Sequence, residues 1–180
     1  MPAAKKTAPN AKTSPHSKAS SKPPPTPDAI RLLTQDHDEV KALFEQYEDL
    51  VESEAEDSQK QEVAGLICQM LTVHAQIEEE IFYPAAREVL DEQDLLDEAD
   101  VEHASAKDLI AQIEGATPDD DHYDAKVKVL GEYIDHHVQE EENELFKAVK
   151  KAGLDLAQVG EELAARKAEL VAAVGLETPA

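Results

Sequence analysis

The sequence predicts an all-α protein: an antiparallel up-down-up-down four-helix bundle with an extra C-terminal helix and a disordered N-terminal arm. Three observations predict it. From Asp28 onward apolar residues recur three and four apart, the period of a helix face, and no stretch alternates as a half-buried strand would. Gly and Pro fall mostly at the ends of these periodic stretches. Aromatic residues are only 4% of the chain and Trp is absent, so the core must come from Leu, Ile, Val and Ala, which suits helices.

Residues 1–27 hold five Lys and no acid among Ala, Ser, Thr and Pro. With almost nothing to bury, this arm is expected to be disordered. It has no hydrophobic stretch of the secretory kind, and its Pro content and lack of Arg argue against an amphipathic transit helix. His16 lies in it and receives no role. The bundle is expected over residues 28–151, with a C-terminal helix and tail over 152–180.

Helix 1, about 28–52, starts after Pro27 with Asp28 as its cap, and its inward line reads Ile30, Leu33, His37, Val40, Phe44, Tyr47. Helix 2, about 59–82, carries Val63, Ile67, Met70, His74, Ile77 and Ile81, and Pro84 is expected to break it before a short turn to about Leu90. Helix 3, about 92–115, reads Leu96, Ala99, His103, Ala106, Ile110, Ile113 and stops at Gly115. Helix 4, about 123–151, reads Val127, Leu130, Ile134, His137, Glu141, Leu145, Ala148 and stops at Gly153. The segment "DLAQVGEELAARKAELVAAVG" makes a shorter amphipathic helix against the outside of the bundle.

Each long helix thus has one histidine on its inward line, and His136 is the only helical histidine off it. His37 and His74 both lie about 15 residues, or about 22 Å, from the connection between helices 1 and 2, so antiparallel packing levels them. His103 and His137 lie at matching heights on helices 3 and 4. Glu78 and Glu141 follow His74 and His137 by four residues, about 40° around the helix and about 6 Å along it. One inward histidine is ordinarily a hydrogen-bonded core residue, and a His/Glu pair four apart an ordinary helix contact. Four imidazoles at one height with two carboxylates cost several kcal/mol per charge without strong partners, and a metal centre removes that cost.

Imidazole with carboxylate suits iron, manganese or zinc. A closed zinc site takes four ligands, commonly with thiolate, whereas six ligands on four helices favour two carboxylate-bridged metals. Of the 12 positions on two octahedral ions, four His and two bridging Glu fill eight and an oxo or hydroxo bridge two, leaving about two open. The ferritin-like pattern needs Glu-x-x-His, which does not occur here.

The segments "LLTQDHDEV", "HAQIEEEIFYP", "EHASAKDLI" and "HHVQEEENELF", within residues 28–150, resemble the motifs of the hemerythrin family in its bacterial HHE cation-binding form. The resemblance implies a hemerythrin-like bundle and a non-heme di-iron site: two Fe ions, oxo- or hydroxo-bridged, with manganese or zinc ranking behind. Glu78 and Glu141 would bridge, and His37, His74, His103 and His137 would be terminal ligands. Two departures stand out from the oxygen-carrying hemerythrins. Their third helix has a second His one turn on, where this chain has Lys107, and their fourth-helix acid follows its His by five residues, whereas here Glu141 follows His137 by four and only His136 stands five before it. The missing ligand is sought in water, His136, Tyr133 or a neighbouring acid such as Glu140.

The implied function is binding or sensing of dioxygen, peroxide or nitric oxide, or iron buffering. The alternatives are peroxidase-like, catalase-like or nitric-oxide-handling turnover, repair of iron–sulfur centres, and a metal-free interaction module. The repair relatives carry an N-terminal cysteine segment that this sequence lacks. Binding and turnover both remain open, and no protein partner is named. Beyond the arm stand 12 basic and 40 acidic side chains, a net charge near −28. Such a domain repels nucleic acid and anionic membranes, leaving the arm as a weak route to DNA, and it attracts cations. No apolar run approaches the roughly 20 residues of a membrane span. The lone Cys68 fits core packing in a reducing, cytoplasmic setting. Tyr47 and Tyr83 are expected to be packing two turns or more from the histidines, and His122 a loop residue. The "EEE" runs at 78–80 and 140–142 are expected to be solvated beyond Glu78 and Glu141, save for one member behind a ligand.

Overall fold

The structure is a computed structural model describing residues 28–175. The expected arm and the last five residues lie outside this range. Helix α1 (Ala29–Glu52) begins where the cap signal places it: Asp28 is extended and its carboxylate accepts the Arg31 N–H at 3.0 Å. Helix α2 (Asp57–Ile77) follows. Helices α4 (Asp94–Glu114), α5 (Tyr123–Glu140) and α7 (Leu156–Val174) match the remaining periodic stretches. His122 is exposed in the connection before α5.

Helix 2 does not break at Pro84. It passes through a π turn, Glu78–Phe82, into α3 (Tyr83–Val89), with the Tyr83 N–H on the Glu78 carbonyl. Pro84 therefore enters the first turn of a new α stretch, where a missing N–H does least harm. Helix 4 is interrupted in the same way: α5 leads through a second π turn, Glu141–Leu145, into α6 (Phe146–Ala152), which ends at left-handed Gly153 (φ 85°). Each π turn inserts one residue and rotates the next stretch of helix by about 100°. Phe82 and Tyr83 are buried after Glu78, and the expected Ile81 only partly so; Leu145 and Phe146 are buried after Glu141, and Ala148 only partly. Phe44, Met70 and Ile134 are also partly buried rather than central.

Helix α1 packs on α2 and α5, and α4 packs on α2 and α5, closing a four-helix ring. His37 meets Glu142 beyond the end of α5, while the Tyr47 hydroxyl donates to Asp124 near its start, so α1 and α5 run in opposite directions. Helix α7 lies on α1, α2 and the first π turn. The core forms two apolar clusters, one around Leu33, Phe82, Leu96 and Leu163, the other around Val40, Ile67, Ile110 and Leu130. The histidine layer lies between them. Cys68 is buried in the second cluster, where burial, aided by the Glu114 charge, pushes its thiol pKa up to about 12. Such a thiol is inert packing.

Candidate metal centre

The four inward histidines meet through their Nε2 atoms. His37 and His74 bring theirs to 3.2 Å, and so do His103 and His137. Two nitrogens side by side on one ion, each about 2.1 Å from it, are about 3 Å apart. Glu78 spans the pairs, with Oε1 3.2 Å from His74 Nε2 and Oε2 3.4 Å from His103 Nε2. Glu141 Oε2 lies 3.4 Å from His37 Nε2 and 3.9 Å from His137 Nε2. All six side chains are buried, and no oxygen of either glutamate has a hydrogen-bond partner. Two sets of donors result: His37, His74, Glu78 and Glu141, and Glu78, His103 and His137. Orphaned carboxylate oxygens arrayed with imidazole nitrogens fit a pair of cations sharing a carboxylate.

Every histidine turns its other nitrogen to a carboxylate. His37 Nδ1 meets Glu142 at 2.9 Å, His74 Nδ1 meets Asp36 at 3.3 Å, His103 Nδ1 meets Glu79 at 3.0 Å and His137 Nδ1 meets Glu102 at 2.8 Å. A carboxylate there holds the proton on Nδ1, orients the ring and leaves the Nε2 lone pair facing inward. The pattern occurs twice. The acid before His37 serves His74, and the acid before His103 serves His137; the acid after Glu78 serves His103, and the acid after Glu141 serves His37.

The charges agree with this arrangement. Burial would raise the Glu78 pKa, but the charge of the adjacent His74 and His103 imidazoles holds it well below the ordinary range. Burial would lower that of His74, but Glu78 and Asp36 push it up to about 10. His37 and His103 are likewise raised against burial, by Glu141 and Glu78 in turn. The glutamate pair demands positive charge, as protons or as cations.

Residues 28–149 match the model of the hemerythrin HHE cation binding domain. The chain belongs to this family. A DNA nickase of Nostoc sp. (strain PCC 7120 / SAG 25.82 / UTEX 2576) is 35% identical over 124 residues, which are 68% of this chain and 33% of the nickase. The chain thus spans about a third of that relative. The crystal structure of a hemerythrin HHE cation binding domain-containing protein from Mycobacterium kansasii shares the fold, with a TM-score of 0.68 at 21% identity over 82% of this chain and 89% of that one. Family and donor set together make this a cation-binding domain. Among the described residues no helix is long and apolar enough to cross a membrane.

Several residues of this HHE domain lie elsewhere than expected. His136 is 67% exposed and points outward, its Nε2 3.4 Å from Glu140 and 3.8 Å from Glu102, and Tyr133 is 52% exposed. His136, Glu140 and Glu102 form a surface group, and neither His136, Tyr133 nor Glu140 joins the buried set. Of the glutamate runs, Glu79 and Glu142, not Glu140, meet the buried imidazoles. Tyr83, expected to be distant packing, is 2% exposed with its hydroxyl 3.2 Å from His103 Nε2. The π turn puts it there, five residues after Glu78. Phe146, five residues after Glu141, takes the matching place and stacks on His37 with ring centroids 6.0 Å apart. Burial, with the charges of Glu78 and Glu141, raises the Tyr83 pKa far above the ordinary phenol range, so its hydroxyl keeps its proton. On the other side of the layer the four histidines border a cavity of about 20 Å³ with Val40, Leu71, Lys107 and Ile110. The Lys107 amine turns out to Glu79 at 2.6 Å, leaving room where oxygen carriers have a further imidazole.

Proposed function

We propose that this domain holds two iron ions, one on His37, His74, Glu78 and Glu141, the other on Glu78, His103 and His137, and uses them to bind or react with dioxygen, peroxide or nitric oxide. The convergence of four Nε2 atoms on two buried carboxylates without hydrogen bonds carries this reading. A donor set of nitrogen and oxygen without thiolate is one that iron accepts. Iron supplies reversible ligand binding or electron transfer to such molecules. The chain's part is to hold the imidazoles through four outer carboxylates, exclude water with two apolar clusters, and keep a protonated Tyr83 hydroxyl beside His103. A cavity of about 20 Å³ admits one water-sized or diatomic guest, which supports ligands of this size.

The acidic surface and the inert buried thiol support a cytoplasmic setting. The nickase activity of the Nostoc relative is not carried over: it belongs to a protein about twice as long, and the acidic helices here oppose contact with DNA. The test is the iron content of protein from iron-supplemented cells, with the visible spectrum before and after peroxide or nitric oxide. About two irons per chain and a spectrum that responds to either ligand are expected, and peroxide consumption then separates turnover from binding. Protein with no iron, or with one zinc, overturns the reading.

A further inference from the structure

The two halves of the centre are built alike, and besides Tyr83 standing where the other half has Phe146 they differ in what backs the outer carboxylates. Asp36 and Glu102 are equivalent, each preceding the first histidine of its half and each holding Nδ1 of the second. Behind Glu102 stands the exposed His136, reached from solvent. Behind Asp36 stands Lys167 of α7, donating to Oδ1 while Oδ2 faces His74. Asp36 is only 5% exposed, whereas the Lys167 side chain is 26% exposed, so the ammonium covers the buried carboxylate from the rim. The adjacent Arg166 binds Glu80 of the first π turn at 2.7 Å on the outside. Helix α7 follows the 28–149 span of the family domain.

We propose that Lys167 is a positioning residue: through Asp36 it fixes the His74 imidazole, so that α7 sets the affinity of one metal position, that of His37 and His74, and not of the other. This rests on the two-metal reading above. A buried aspartate between an ammonium and an imidazole has both oxygens committed, and its ring partner has one orientation. Without the ammonium, Asp36 has one oxygen unpaired in an apolar setting and turns toward any water that enters. The His74 ring is then free to leave the line of its metal. Loss of such an outer partner typically costs about 10–100-fold in metal affinity.

The test uses the full chain, stripped of metal and titrated with cobalt(II) against a chromogenic chelator to give two stepwise dissociation constants. In Lys167→Met one constant is expected to rise about tenfold and the other to hold. Lys167→Arg, which keeps the cation, is expected to restore most of the loss. Arg166→Gln, which loosens α7 on the outside only, is expected to change neither constant. Two constants unchanged in Lys167→Met, or both raised equally, overturn the proposal while leaving the two-metal reading intact. An equal effect from Arg166→Gln also overturns it, by tracing the effect to the docking of α7 in general. Wild-type protein that takes up no cobalt overturns the two-metal reading itself.

Discussion

At the residue scale, the roles of neighbouring side chains separate by which atom faces the layer. His74 presents Nε2 to Glu78 and Nδ1 to Asp36, and its removal leaves Glu78 without its nearest imidazole and Asp36 with Lys167 alone. On the proposed two-iron reading His74→Ala is therefore expected to lose at least one iron, and to destabilise the metal-stripped protein by about 3–5 kcal/mol, the usual effect of breaking a buried charge pair. Glu141→Ala is expected to lower iron content as well, while His122→Ala changes neither iron nor melting temperature. Iron analysis and denaturant titration check all three. Tyr83 presents a different problem, because Phe146 already occupies the equivalent place in the other half. Tyr83→Phe makes the halves alike and keeps the ring packing. It is expected to retain two irons and shift the visible spectrum; an unchanged spectrum, with or without peroxide, would return Tyr83 to packing.

At the scale of the element, each long helix was legible because it combines a strict apolar period with a readable start or stop. Asp28 is one such start, and Asp28→Ala is expected to cost about 1 kcal/mol, seen as a lower denaturation midpoint with iron content unchanged. The buried histidine layer was legible for the same reason: His37, His74, His103 and His137 stand in for apolar residues at positions that a regular helix turns inward. The π turns were not legible. A regular period carried past Glu78 points Ile81 inward and leaves Tyr83 far from the histidines, and only a hydrogen bond register slipped by one residue reverses this. Of the outer carboxylates only one member of the glutamate runs was expected, and Asp36 and Glu102 not at all, because in a chain with 40 acids an extra acid beside an inward histidine looks like surface. Their signal was present as a repeat: an acid directly before His37 and His103, and another directly after Glu78 and Glu141. Lys167 had no signal at all, since its partner Asp36 lies 131 residues away.

At the scale of the whole molecule, the acidic domain and the buried cluster predict a stability whose dependence on pH changes sign, and does so differently with metal. In protein stripped of metal, the folded pKa of His74 is about 10 against 6.5 in the open chain. Its contribution is therefore complete below pH 6.5 and disappears as pH rises through about 10. The Glu78 pKa is depressed well below 4.5, so its contribution is present above that value and is lost only as pH falls toward the depressed pKa. Asp36 is depressed too, because His74 and Lys167 outweigh its burial, and acts in the same direction. The two trends leave a window of maximal stability between about pH 4.5 and 6.5. Above it the excess of acids adds self-repulsion, which salt screens. Thermal melting of the stripped chain is expected to peak in that window and fall toward pH 10. Metal should reverse the alkaline limb: cations take the place of the imidazole protons, binding releases protons, and loaded protein is expected to gain most over stripped protein above pH 6.5. Parallel melting curves for stripped and loaded protein across pH 5–10 would mean that protons and metal do not compete for the four imidazoles.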